Sequence, residues 1–161
     1  METANFVIRE AQKEDVPTIL DLINGLAEYE KLPHEVVATE AILHEWLFEK
    51  KKAEVLIGEY NGIPVGFVLF FHNFSTFLGR AGIYLEDLFV KPEFRGKGFG
   101  KALLISLAKI AVERGCGRFE WSCLDWNKPS IEFYLSMGAK PMEGWTIYRV
   151  AGDKLTEMAS M

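Results

Sequence analysis

Residues 84–101 constrain the fold more than any other part of the chain. An apolar run that holds two acids, residues 83–90, is followed by a short turn and then by Arg-Gly-Lys-Gly-Phe-Gly at residues 95–100, which opens directly into a helical pattern. The first backbone N–H groups of a helix have no partner inside the helix, and the helix dipole adds partial positive charge there. Glycines let a ligand approach this backbone without a Cβ in the way. A strand, a glycine loop (residues 95–100) and a helix in this order predict a phosphate-binding site with acids beside it.

Two familiar phosphate-binding motifs do not match the glycine loop. The dinucleotide fingerprint requires the spacing G-x-G-x-x-G, whereas Gly96, Gly98 and Gly100 are spaced G-x-G-x-G. A P-loop ends in Lys-Ser or Lys-Thr, which is missing after Gly100. The bland alternative is a tight turn that binds nothing. Arg95, placed to reach a phosphate, and three glycines where one would make a turn favour a binding site instead.

Composition excludes several classes of protein. The chain has 161 residues, 49% of them apolar and 25% charged, which fits one globular domain spanning residues 1–161. There is no run of 18 apolar residues, and the first five residues carry neither a basic nor a long apolar stretch, so we expect a soluble cytoplasmic protein without a membrane partner. The net charge of −5 argues against nucleic-acid binding. Cys116 and Cys123 lack metal-ligand spacing, and we expect two reduced thiols and no metal site.

The hydrophobic pattern predicts strands and helices in mixed order. We expect strands at residues 6–9, 55–60, 65–71, 84–90, 119–124 and 145–150, and a hairpin turn at residues 61–64. We expect helices from about Asp15, with Val16, Ile19, Leu20, Ile23, Leu26 and Ala27 on one face, and at residues 39–51, 98–114 and 130–135. The third of these helices should bury Leu103, Leu104, Leu107, Ala108 and Ala111. An antiparallel hairpin followed by one strand–helix–strand crossover indicates a mixed α/β or α+β fold.

These residues resemble a known family. Arg95, Gly98 and Gly100 occupy the signature positions of the GNAT N-acetyltransferases, Arg/Gln-x-x-Gly-x-Gly/Ala at a helix start, and the resemblance extends over essentially the whole chain. Within that family the chain looks most like the diamine (spermidine/spermine) acetyltransferases and their thialysine-acetylating relatives. Residues 26–32, 84–87, 124–130 and 143–145 carry this closer likeness. The fold it implies is the GNAT acyl-CoA N-acyltransferase fold, a twisted mixed sheet flanked by helices whose two central parallel strands splay apart around acetyl-CoA.

The resemblance implies which residues hold acetyl-CoA. The strand end formed by Leu88, Phe89 and Val90 is expected to pair with the pantetheine arm as an added strand would. The pyrophosphate is expected on the backbone of Arg95, Gly96, Lys97, Gly98, Phe99, Gly100 and Lys101. Asn127 and Ser130 match family positions that contact the cofactor, but Asn-x-Pro-Ser is also a good helix entry, so a purely structural capping role stays open.

The resemblance also implies the catalytic groups. Tyr134 matches the family's tyrosine proton donor; alternatively, it anchors its short helix beside Phe133. Glu86 matches a carboxylate that acts as base through water. We expect direct transfer, in which the amine attacks the thioester while cofactor and acceptor are both bound. Adjacent strand residues point to opposite faces, so Glu86 and Asp87 share a pocket only if a bulge intervenes. The choice of base between these two acids therefore stays open.

The resemblance also implies which residues contact the acceptor amine. Besides Glu86 and Asp87, the resemblance implies substrate contacts for Tyr29, Glu30, Glu120, Trp121, Ser122, Glu143 and Trp145. Acids beside aromatic side chains suit an ammonium-bearing chain. The loops near residues 61–64 and before residue 143 are shorter than in the branch, and we expect a small diamine or lysine-like amine. A peptide or protein N-acetyltransferase and a non-catalytic acyl-CoA-binding module are the alternatives. The branch also implies a homodimer with exchanged C-terminal segments.

Overall fold

The computed structural model describes residues 5–161, which form two compact units. The first unit extends to Leu124, and the second is Asp125–Met161. The first unit contains β1 (Phe6–Glu10), α1 (Val16–Tyr29), α2 (Glu40–Leu43) with a π-helical turn (His44–Glu49), β2 (Glu54–Tyr60), β3 (Ile63–Ser75), β4 (Arg80–Val90), α3 (Phe99–Glu113) and β5 (Phe119–Trp121). The second contains α4 (Lys128–Ser136) and α5 (Asp153–Ala159). The expectation of a single domain stays a prediction.

The five strands form one mixed sheet in the order β1-β2-β3-β4-β5. The first three pairings are antiparallel, and β4 pairs with β5 in parallel through the α3 crossover. The parallel pairing covers three residues of each strand and ends at Leu85 and Trp121. Beyond that point β4 continues to Val90, paired with β3 alone in the described sheet. The predicted mixed α/β fold is confirmed, with the two parallel strands separating after Leu85.

Helices cover both faces of the sheet. The buried side of α1, which includes Ile19 and Leu22, packs with Phe67 of β3 and Phe89 of β4 in one hydrophobic cluster. Side chains alternate along a strand, so Leu88 and Val90 point to the opposite face, where the start of α3 lies within contact distance. Each large apolar side chain buried here stabilises the fold by about 1.5–3 kcal/mol. The architecture of this unit is therefore helix, sheet, helix.

Several details of the helices differ from the expectations. In α1 the side chain of Leu22, which was not predicted to face inward, is fully buried, whereas the predicted Leu20 and Ile23 are only partly buried. In α3 the predicted inward residue Ala108 is exposed. The helix predicted for residues 39–51 is α-helical only to Leu43 and then widens into the π turn. Ion pairs five residues apart accompany this wider turn: His44 with Glu49 at 3.0 Å and Lys50 with Glu45 at 2.7 Å.

The predicted closing strand at residues 145–150 is wrong for the chain as described. Within residues 5–161 this stretch joins no sheet, and its side chains are exposed, including Trp145, Ile147 and Tyr148. Its apolar, β-branched and aromatic composition favours an extended backbone, but a strand also needs a neighbour to share its hydrogen bonds. The strand predicted at residues 119–124 likewise ends at Trp121, where its pairing with β4 ends. The terminal helix α5 was not predicted.

Candidate active site

A β-bulge brings two acids of β4 together. Leu85 pairs with Phe70 and Asp87 pairs with Leu69, so Glu86 is the extra residue between two consecutive ladder partners. The alternation of side chains is interrupted at this point, and the two acids are no longer forced to opposite faces. Asp87 precedes Phe89 by two residues and so faces α1, where it is half-buried, whereas Glu86 is exposed. The bulge lies directly after Leu85, where β4 and β5 separate.

A third acid joins this pair electrostatically. Burial, then the neighbouring charges of Glu86 and Glu30, raise the pKa of Asp87 from 3.8 to about 7. Burial, then the charge of Glu86, also raises the pKa of Glu30, which follows directly after α1. We call Glu30, Glu86 and Asp87 the acid cluster. Such a group attracts an ammonium ion, and Asp87 titrates where a general base is most effective.

The end of β4 offers backbone groups on its open side. Lys91 N–H donates to the Val65 carbonyl at 2.8 Å, so the backbone groups of residue 91 face β3. Because alternate residues of a strand direct these groups to opposite edges, those of Val90 and Leu88 face away from β3, on the side where β5 has diverged. An extended ligand with its own N–H and C=O groups fits such an edge, as the predicted pantetheine site requires.

The glycine loop has the backbone conformation that its composition predicts. Gly96 and Gly98 have φ values of 79° and 83°, in the left-handed region that favours glycine. A Cβ on Gly96 would meet no atom within 4 Å, which leaves open space beside it. The first hydrogen bond of α3 is donated by the Ala102 N–H to the carbonyl of the N-cap residue Gly98 at 3.0 Å. The backbone N–H groups that precede Ala102 therefore have no partner within the helix. These features fit a phosphate-bearing group.

The Arg95 side chain has protein partners, and the expectation that it reaches a phosphate stays a prediction. Its Nε donates to the Val90 carbonyl at 2.9 Å. Its guanidinium lies 4.5 Å from the ring centre of Tyr29 and 5.4 Å from that of Phe89. The side chain thus connects the open end of β4 with the end of α1.

The same two rings line a cleft that the sequence analysis missed. It has a volume of about 410 Å³ and is lined by Asp21, Asn24, Gly25, Glu28, Tyr29, Phe89, Lys91 and Pro92. The α1 residues that line the cleft recur every three or four positions, on the polar side of the helix opposite its buried side. This polar side is the sequence pattern from which the cleft could have been predicted. The cleft does not include the acid cluster. The candidate active site therefore lies at the β-bulge and Asp87, not in this cleft.

On β5, the predicted substrate residues already have protein partners. Glu120 pairs with Arg118 at 2.9 Å and accepts a hydrogen bond from Asn73 at 3.0 Å. Ser122, just after the strand, shares a 2.7 Å hydrogen bond with the Tyr84 hydroxyl. The Trp121 ring packs edge-on against Phe119. The Ser122 bond joins β4 to the end of β5, and the Asn73 bond joins β5 to β3, whereas a role of these residues in binding the acceptor stays a prediction.

The second unit holds the remaining predicted site residues. Asn127 is buried, and its side chain accepts a hydrogen bond from the Ser130 N–H, so it caps α4. Tyr134 is half-buried on α4 with its ring 5.6 Å from that of Phe133. Glu143 and Trp145 lie in the exposed stretch before α5. Their catalytic and binding roles remain predictions.

Comparison with known proteins decides the family. A sequence model of the acetyltransferase (GNAT) family matches residues 17–139. The chain belongs to the GNAT acetyltransferase family. It is 38% identical to the thialysine N-epsilon-acetyltransferase of Sus scrofa, over 97% of this chain and 98% of that protein. It is 35% identical to the L-ornithine N5-acetyltransferase of Arabidopsis thaliana, over 92% of this chain and 85% of that protein.

A solved structure shares the fold of this chain over nearly its whole length. An integron cassette protein of V. cholerae superposes on the chain with a TM-score of 0.82 and 26% identity, covering 98% of this chain and 99% of the other. Family and relatives together make the GNAT chain an acetyl-CoA-dependent N-acetyltransferase.

Two expected absences can be examined in the described part of the chain. Between residues 5 and 161, no three His, Cys, Asp or Glu side chains group as metal ligands. In the same range, no helix combines the length and the apolar character that crossing a bilayer requires. The cytoplasmic location stays a prediction.

Proposed function

We propose that this GNAT protein transfers the acetyl group of acetyl-CoA directly to a primary amine of a small diamine or lysine-like acceptor. The observation that carries the proposal is the acid cluster at the bulge, directly after the point where β4 and β5 separate. It combines negative charge for an ammonium group with a carboxyl whose pKa suits proton transfer at neutral pH. The names of the thialysine- and ornithine-acetylating relatives support an acceptor of this size and charge.

In the proposed mechanism the acid cluster supplies the base. A primary amine with a pKa of about 10.4 is almost wholly protonated at pH 7, and releasing its proton costs about 4–5 kcal/mol. Glu86 is exposed at the bulge and acts as base through a water molecule. Asp87 is the alternative base because its raised pKa of about 7 suits a proton acceptor near neutrality. Glu30 adds charge that favours the bound ammonium form.

The glycine loop and the end of β4 hold the acetyl carrier in this proposal. Acetyl-CoA supplies a thioester-activated acetyl group. The amides of residues 95–101 bind the diphosphate, and Leu88, Phe89 and Val90 present the strand edge to the pantetheine arm. Asn127 and Ser130 are proposed to contact the carrier from the start of α4, in addition to capping that helix.

Tyr134 is the proposed general acid. A phenol with a pKa of about 10 can protonate a departing thiolate, whose own pKa is about 8.5. The half-buried position of Tyr134 on α4 leaves part of the side chain accessible. No side chain carries the acetyl group in this scheme, since the amine attacks the thioester directly.

The proposal is tested by acetylation of a panel of diamines, thialysine, L-ornithine, spermidine and a lysine peptide, with Tyr134→Phe as the variant. We expect turnover on the small amines and a kcat about 100-fold lower in Tyr134→Phe, with the Kd of coenzyme A unchanged. Phe133→Leu is the matched control, since it changes the neighbouring ring without removing a hydroxyl. Binding of coenzyme A without turnover on any amine would show a non-catalytic module. Turnover on the peptide alone would show a peptide acetyltransferase.

We further propose a homodimer that covers the exposed stretch before α5. Trp145 is 81% exposed and Tyr148 is 92% exposed, and exposed apolar clusters of this kind favour association. Glu143 and Trp145 would reach an acceptor in this assembly. Light scattering after size exclusion is expected to give twice the chain mass of 18.3 kDa. Ile147→Asp should shift the protein toward the monomer, and a monomeric parent protein would refute the proposal.

A further inference from the structure

We propose that Arg95 is a positioning residue that holds the Tyr29 ring against the end of β4 and thereby sets the affinity for the amine acceptor. This extends the proposed function and depends on it. The signature arginine of the glycine loop would then act on the acceptor side of the reaction as well as on the acetyl carrier.

The contacts of Arg95 support this role. One donor, Nε, is fixed on the Val90 carbonyl at 2.9 Å. With the side chain tethered there, the planar guanidinium lies over the Tyr29 ring at 4.5 Å and near the Phe89 ring at 5.4 Å. Arginine suits this task because it can donate a hydrogen bond in its plane while its face stacks on an aromatic ring. Lysine keeps the charge but lacks the plane.

A change in the position of Tyr29 would alter the affinity for the acceptor. It is the last residue of α1, and the next residue is Glu30 of the acid cluster. Its ring also lines the cleft beside Phe89. A shift of this ring therefore alters both the cleft wall and the segment that carries one of the three acids.

The Val90 carbonyl anchors the Arg95 side chain at the end of β4. It lies on the open edge of β4, away from β3, next to the residues proposed to bind the pantetheine arm. Arg95 thus spans from that edge to the end of α1. Removing the Arg95 side chain should leave the position of the Tyr29 ring less fixed, without removing any atom of the acid cluster.

A double-mutant cycle tests this inference at saturating acetyl-CoA. Arg95→Gln keeps a hydrogen-bond donor and removes the charged guanidinium, and Tyr29→Leu removes the ring. Each should raise the KM for L-ornithine and thialysine about two- to fivefold, as expected for an exposed cation–π contact, with kcat within about twofold of the parent. The KM of the double variant should be no higher than that of the single variant with the larger effect. Lys109→Gln, an equal loss of charge at an exposed site on α3, should leave KM unchanged.

Two results would overturn the inference. Effects of Arg95→Gln and Tyr29→Leu that multiply would show that the residues act independently. A rise in the Kd of coenzyme A, measured by calorimetry, without any change in the KM of the acceptor would assign Arg95 to the carrier alone. If Arg95→Gln does not fold, Arg95→Lys replaces it, and the same KM rise is expected because the stacking plane is lost.

A second readout does not depend on turnover. With 3-fluorotyrosine in place of the five tyrosines, the 19F resonance of Tyr29 is identified by its absence in Tyr29→Phe. Arg95→Gln should shift this resonance in the free protein, and Lys109→Gln should not. A shift in a protein that acetylates no amine would leave the contact standing and refute the proposed function. An unshifted resonance would refute the contact itself.

Discussion

Replacing Asp87 with asparagine should stabilise this GNAT protein, and more so at higher pH. Burial and the charges of Glu86 and Glu30 raise the pKa of Asp87 from 3.8 to about 7. Because this folded-state pKa lies above that of the unfolded chain, the native state binds the extra proton between the two values. Stability is therefore lost as pH rises through this window, and the loss is complete above about pH 7. Asparagine has nearly the same shape and no proton to lose.

The size of the effect follows from the same values. At about 1.4 kcal/mol per pH unit, the difference between 3.8 and about 7 corresponds to about 4 kcal/mol in total. About 2–3 kcal/mol of this falls between pH 5 and pH 8. The gain in unfolding free energy of Asp87→Asn over the parent should therefore grow by about that amount across this range.

Urea denaturation of both proteins at about pH 5 and about pH 8 measures the effect. Asp153→Asn, at an exposed site in the first turn of α5, is the control and should show no comparable pH dependence. Glu86→Gln should reduce the pH dependence only in part, since burial is the largest cause of the raised pKa. An advantage of Asp87→Asn that is the same at both pH values would refute the reasoning.

Three further predictions concern the loop, the base and the fold. Gly96→Ala should weaken coenzyme A binding at least about tenfold by calorimetry, whereas Gly79→Ala, with a similar φ of 71° and equal open space, should only lower stability by about 1 kcal/mol; equal affinity in both would contradict a role for the loop. The plot of kcat/KM against pH should rise with pH through about 7 in the parent, and loss of this limb in Asp87→Asn with its retention in Glu86→Gln would assign the base to Asp87. Arg114 donates to Glu54 at 2.7 and 2.9 Å and lowers the pKa of that carboxyl. The ion pair therefore stabilises the fold fully above pH 4.5, the usual pKa of a glutamate, and this stabilisation is lost as the pH falls below that value. Arg114→Gln should cost about 0.5–1 kcal/mol at pH 7 by urea denaturation, since both groups are partly exposed, and little near pH 3; a cost that does not change with pH would contradict the ion pair.

Local features of the fold could be predicted from the sequence because they depend on neighbouring residues. The period of the apolar positions located α1 and α3, and the turn at residues 61–64 located the β2–β3 hairpin. The three glycines indicated the loop before α3, and the left-handed φ values of Gly96 and Gly98 agree with that prediction. The signature around Arg95 was enough to indicate the family, which the match over residues 17–139 confirmed.

Features that depend on distant partners were decided by tertiary structure. An extended pattern at residues 145–150 could not become a strand without a neighbouring strand within the described chain. The side chain of Arg95 found its partners on Val90 and on Tyr29, which lies more than sixty residues away in sequence, and no local pattern shows this.

The two adjacent acids show the division most clearly. The order of the residues alone is enough to place Glu86 and Asp87 next to one another on a strand before a glycine loop and a helix. Strand alternation alone would have sent them to opposite faces. Only pairing with β3, where Leu85 and Asp87 take consecutive partners, produced the bulge. Only packing against α1 buried Asp87 near Glu30, and this burial is the largest cause of its raised pKa of about 7.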